Sequence, residues 1–238
     1  MKLGKLVLTV GVAAAAAFGT VDASACLRAM EAPVERKDDA PHLVATAEQS
    51  LESGKYAVAT ATILKKFPGL KAAATRGDKE GPKGETAHLE SRAMRIVALA
   101  SVRSDGAFGV SSGAAEARKK ANLEWSVTVL RKMNAARAND ASLQADLGEA
   151  LSKSAPSQKE ALDVLSKLAA DDLIGSPHAY AALAKLQAAA GDAQKSADAI
   201  KRCEGMTSTP AICSPKAPAA VPAKAKEAAP PPDLKGRA

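Results

Sequence analysis

A few short stretches of this 238-residue chain carry residue types and spacings that enzymes, phosphate sites and metal sites use. Gly109-Val110-Ser111-Ser112-Gly113 matches the G-x-S-x-G pattern of a nucleophile elbow, where a strained strand-to-helix turn exposes a serine for attack on an acyl carbon. Nothing before Ser111 alternates like a strand, so the stretch reads as a flexible Gly/Ser loop. A hydrolase built on the 104–114 loop would lose activity with Ser111→Ala, but no catalytic residue is expected and the chain reads as non-enzymatic. His42, His88 and His178 each fall near an expected helix start. None stands four positions from another His in a zinc pattern, so surface or capping roles are expected and no metal site. The Gly-rich stretch Gly77 to Gly84 lacks phosphate-loop spacing, and no cofactor is implied.

Cysteine supplies the remaining chemistry. Cys203 and Cys213 bracket CEGMTSTPAIC and are expected to pair in an oxidising compartment. In the chain-entropy picture such a loop stabilises by about 3 kcal/mol. It would pin the post-helix segment against the last helix pair. Cys26 is then the odd thiol. It follows Ala23-Ser24-Ala25, which closes a signal-peptide pattern: Lys2 and Lys5, an apolar run from Leu6 to Gly19, then small residues. The run is shorter than the roughly 20 residues a bilayer span requires, and no second one follows. The reading is an exported chain without a transmembrane span. Ala23-Ser24-Ala25-Cys26 also resembles a bacterial lipobox, which implies lipidation of Cys26; the alternative is a free or intermolecularly paired thiol.

The elements that would position any site are helices. Aromatics make up 3% of the residues and alanine dominates, which favours closely packed helices over a sandwich or barrel. Residues 26–40 read as a polar leader. Pro41 opens a helix through Leu51, Gly54 turns the chain, and a second helix runs from Tyr56 to Phe67. Residues 69–85 read as a basic loop. Helical spacing returns over 86–103 and, after a loop ending at Gly113, over 114–138. Leu143 to Leu151 and Lys159 to Ala170 form a third pair. Ser176 is expected to cap a helix with Pro177 in its first turn, and Gly191-Asp192 turns into a last helix ending near Cys203. That gives eight helices in four antiparallel hairpins.

These residues resemble the tetratricopeptide repeat family. Tyr180, Leu183-Ala184, Gly191 and Ala197 follow its pattern of a large residue, a Leu-small pair, a turn glycine and a helix-B alanine. Leu147-Gly148 with Ala161 is a second copy, and Gly54, Tyr56 and Ala59 a third. Leu147 and Leu183 lie 36 positions apart, near the family's period of roughly 34. The resemblance implies a right-handed superhelical stack of about four hairpins, an α-solenoid over residues 41–205. Small residues such as Gly148, Ala184, Ala161 and Ala197 would let helices approach closely. The family's groove is lined by the first helix of each pair, which implies Gln49, Gln144 and Lys185 as partner-binding positions.

Beyond residue 205 a Cys-closed loop leads into a Pro/Ala/Lys-rich tail, with five basic residues against two acidic from Ser214 to the end. Such a composition buries no core and is expected to stay extended. The formal charge of +7 is interleaved with acids on the helices, so nucleic acid is not expected as a partner. Together the expectation is a scaffold of the bacterial cell envelope, in the periplasm or at the outer-membrane periphery, clasping an envelope protein or peptide through shape and charge complementarity. The alternative is an assembly lipoprotein anchored through Cys26.

Overall fold

A computed structural model describes residues 39–73, 84–109 and 115–214. All lie in one compact unit; residues 1–38, Cys26 among them, as well as Ser111, Gly77 and the 215–238 tail lie outside the described residues.

The described residues form nine α-helices and no strand. They are α1 (Ala40–Glu52), α2 (Tyr56–Lys66), α3 (Leu70–Ala73), α4 (Glu85–Arg103), α5 (Ala115–Ala136), α6 (Ala141–Leu151), α7 (Gln158–Ala170), α8 (Pro177–Ala189) and α9 (Ala193–Glu204). The all-helical expectation holds. The expected eight helices become nine because α3 occupies the start of the presumed loop. That one-turn helix buries Leu70 and is anchored from both ends of its environment. Trp125 Nε1 donates to the Lys71 carbonyl at 3.2 Å, and Lys71 Nζ donates to Asn122 Oδ1 at 2.8 Å while lying 4.4 Å from the Phe108 ring centroid. Four residues carry no readable period, so tertiary contacts decide this helix.

α1 pairs with α2, α4 with α5, α6 with α7 and α8 with α9. Gly54 (φ 73°) and Gly191 (φ 85°) take the left-handed turns that close the first and last pairs, conformations that a β-carbon disfavours. Pro177 sits in the first turn of α8, but the Ser176 side chain does not cap; Asp140 and Asp192 do, their Oδ1 accepting from Leu143 N and Lys195 N at 3.1 Å.

The pairs stack in sequence. α4 packs on both α1 and α2, α6 on both α4 and α5, and α8 on both α6 and α7. α4, α6 and α8 are therefore each sandwiched between their partner and the preceding hairpin. Burial follows: α4, α6 and α8 each bury eight residues, while α2, α5, α7 and α9 bury three or four and face water with the rest. Tyr180, Leu183, Ala184, Leu147, Ala161 and Ala59 are all in the core. Gly148 is required for contact, since a β-carbon there would come within 2.7 Å of the Leu165 side chain. Ala197 departs from the expectation. It is exposed, and Ser196 instead faces α8, its Oγ donating to the Ala184 carbonyl at 2.9 Å. Gly54 precedes Ala59 by five positions, and five beyond Gly191 is Ser196, so the equivalent residue is the serine.

Cys203 and Cys213 form a disulfide, Cα atoms 5.7 Å apart, with both residues buried. The short 3₁₀ turn Pro210–Ile212 just before Cys213 packs on α8.

Candidate functional site

The first helices present their free stripe to a cleft of about 700 Å³. The geometry of α4 explains its character. Arg92, Arg95 and Arg103 are separated by three and eight positions, which keeps them on one stripe of a 3.6-residue helix. Ile96 and Leu99 lie between them and form part of the floor. On α6, Ser142, Asp146 and Glu149 are separated by four and three positions and form the facing stripe.

Each arginine is met by a carboxylate from the neighbouring hairpin. Arg92 donates through Nε and Nη2 to the two oxygens of Glu48 on α1 at 3.1 and 2.6 Å. Arg95 donates through Nε to Asp146 Oδ2 at 2.5 Å and through Nη2 to Ser142 Oγ at 3.0 Å. Arg103 holds both Glu149 oxygens at 3.1 and 3.2 Å, and these two side chains are only 9% and 4% exposed. The outer pair with Glu48 is half-exposed and worth little; the inner pair with Glu149 is a buried ion pair whose loss would leave a charge stranded. Lys153 reaches Asp105 at 2.6 Å, a further link between the second and third hairpins.

The cleft continues into a second of about 400 Å³, with Arg103, His178 and Ile212 shared between them. Tyr56, Lys153 and Lys185 also line it. Burial dominates the titration here. It pushes His178 down to about 4, with Arg103 adding to the effect, so the imidazole is neutral at pH 7. Burial raises the Asp146 carboxyl although Arg95 opposes it, and raises the Tyr56 phenol. Burial works against the charge of Arg103, but Glu149, Asp146 and Tyr56 together hold its pKa above the ordinary guanidinium value. Lys185 is lowered by burial and by Lys153, and no salt bridge or hydrogen bond compensates it among the described residues.

Of the positions implied by the resemblance, Lys185 lines this second cleft. Gln49 is exposed on α1 and lines neither cleft. Gln144 lines neither, and its amide donates to the Ala138 carbonyl, tying α6 to the end of α5. His42 and His88 are exposed, and His178 is partly exposed as a wall of both clefts. Sequence reasoning missed the arginine stripe and its acids. The available signal was the three- and four-residue spacing of charges within otherwise apolar helices, an unusual place for Asp146 and Glu149 unless paired. The far wall of the first cleft was also unforeseen: Met206, Thr207, Ser208 and Ile212 of the disulfide-closed loop complete it.

Among the described residues no group of three His, Cys, Asp or Glu is placed to hold a metal ion, and no helix is long and apolar enough to cross a membrane. No protein-family model, curated protein or solved structure matches the chain.

Proposed function

We propose that this protein is a non-enzymatic, protein-binding scaffold, a right-handed tetratricopeptide-like stack that clasps a segment of a partner along the cleft of its first helices. The observation that carries this reading is the cleft itself, lined in turn by α1, α4, α6 and the start of α8 and closed by the loop after α9. The packing of α4, α6 and α8 each on both helices of the preceding hairpin supports a superhelical stack. The charged groups are set for holding rather than for reaction: the arginines are fixed by carboxylates, and His178 is neutral and partly buried. On the N-terminal pattern, the setting is the bacterial cell envelope.

A pull-down from envelope extract tests the reading, with the full chain, a form lacking 215–238, and Ser142→Trp, which fills the cleft from an exposed position. A discrete partner retained by the first two and lost by the third supports the groove. Binding that follows the tail, or that ignores Ser142→Trp, overturns it.

The pairing of Cys203 with Cys213 favours a second reading, because it leaves Cys26 as the unpaired thiol. In that reading Cys26 is acylated and the same scaffold assists assembly of an envelope machine from the outer membrane. Mass spectrometry of the mature N-terminus separates the two: a diacylglyceryl mass on Cys26 supports the lipoprotein, an unmodified terminus excludes it.

A further inference from the structure

Most charges along the two continuous clefts already have a neighbour. Arg92 is held by Glu48, Arg95 by Asp146, Arg103 by Glu149 and Lys153 by Asp105, at 2.5 to 3.1 Å. Two charges are not so held. Glu52 lines the first cleft and Lys185 the second, and among the described residues neither makes a salt bridge or a side-chain hydrogen bond. Both are exposed, Glu52 at the end of α1 and Lys185 in α8. The first cleft thus keeps one uncompensated negative charge and the second one uncompensated positive charge. Lys153 lowers the Lys185 pKa, a repulsion that an incoming carboxylate would relieve. Polar groups in the same lining are also free. The Ser176 side chain does not cap its helix, and the Tyr56 hydroxyl makes no hydrogen bond among the described residues. Neutral His178 offers one ring nitrogen as a donor and the other as an acceptor. The apolar lining, by contrast, is largely committed to the core, with Leu51, Ile96 and Leu99 buried.

We infer that the groove takes a partner polypeptide segment carrying one basic and one acidic side chain, the basic one on Glu52 and the acidic one on Lys185. This rests on the reading of the cleft as a partner groove and names the chemistry of its occupant. A ligand ion that turned to Arg92 or Arg103 would have to break a two-point contact already formed with a carboxylate; Glu52 and Lys185 have no pair to break. Because the two charges are opposite, they also set direction. A segment lying the other way round would put like charge on like charge at both places, which selects against it.

An array of random decapeptides tethered by their C-termini, probed with the full oxidised chain, tests it alongside Glu52→Lys, Lys185→Glu and Ser142→Trp. Bound peptides should carry one Lys or Arg and one Asp or Glu, at a constant separation and in one order. Their affinity should fall by more than about threefold between roughly 0.05 and 0.5 M salt, because both new ion pairs are screened. Glu52→Lys should weaken these peptides by about tenfold, since an attraction becomes a repulsion, and should select an acidic residue where the wild type selects a basic one. Lys185→Glu should do the converse at the other position. Neither reversal strands a partner, so both variants should keep the wild-type helical circular dichroism; if one does not, Glu52→Gln or Lys185→Gln decides, by relaxing the selection at its own position alone. Peptides with no charge preference, or a preference that either substitution leaves unchanged, overturn the inference while leaving the groove intact, provided Ser142→Trp abolishes capture. Capture unaffected by Ser142→Trp, or no capture by the wild type, overturns both.

Discussion

His178 gives the residue scale its sharpest test. Its folded pKa is about 4 against an unfolded value of 6.5, because burial between Arg103 and Glu149 penalises the cation. Above pH 6.5 both states are neutral and His178 contributes no pH dependence. Between pH 6.5 and 4 the unfolded chain binds a proton that the folded chain refuses, so stability falls with pH across that window, by up to about 3 kcal/mol. His178→Gln should flatten the slope relative to wild type in urea titrations at a series of pH values; an unchanged slope would show that the imidazole is not desolvated. Asp146 acts in the opposite sense below its raised pKa, but equally in both proteins. Gly148 is the second test. A methyl there meets Leu165, which is fully buried, so Gly148→Ala should cost about 1–3 kcal/mol. Ala197→Ser, at an exposed position, should leave the thermal midpoint unchanged. Gly148 was legible in the sequence because the Leu-Gly pair has a spacing; His178 was not, because its environment comes from α4 and α6, far away in the chain.

Among the elements, the first and second helices of each pair do different jobs. α6 carries the third hairpin's core residues and two buried carboxylates, whereas α7 presents a plain amphipathic face. The Arg103–Glu149 bond is the link between α4 and α6 that depends most on both partners. Glu149→Leu alone strands the Arg103 guanidinium and should destabilise by about 3–5 kcal/mol, while Arg103→Met/Glu149→Leu together should recover most of that loss in denaturant melts. A double variant no better than the single one would assign the effect to packing rather than charge. Element existence and order could be read from the 3.6-residue period and from glycine and proline punctuation, as at Gly54, Pro177 and Gly191. α3 could not, since its four residues are helical through Trp125, Asn122 and Phe108. The site was the less legible part: the 3.6-residue period located the helices, but the paired charges of α4 and α6 emerge only when two hairpins are laid side by side.

At the scale of the molecule, contact runs from neighbour to neighbour. α8 packs on α6 and α7, and α6 on α4 and α5, so the last hairpin covers the third and the third covers the second. Truncation after Ala170 therefore uncovers buried faces of α6 and α7, including Leu165 and Leu168. The shortened chain should lose more helix than the deleted residues contribute and should melt earlier and less cooperatively by circular dichroism. Loss in simple proportion would mean that the hairpins fold independently.

The buried disulfide also gives the molecule a mechanical asymmetry. When the stack is drawn out from its two ends, hairpins held only by their neighbours yield one after another, but the path between Cys203 and Cys213 remains a 5.7 Å strut. Ten residues of free chain would stretch to about 33–36 Å. The oxidised protein thus pays out about 30 Å less slack before it becomes taut. Load bypasses the loop that walls the cleft, so that wall keeps its own closure while the helices beside it are strained.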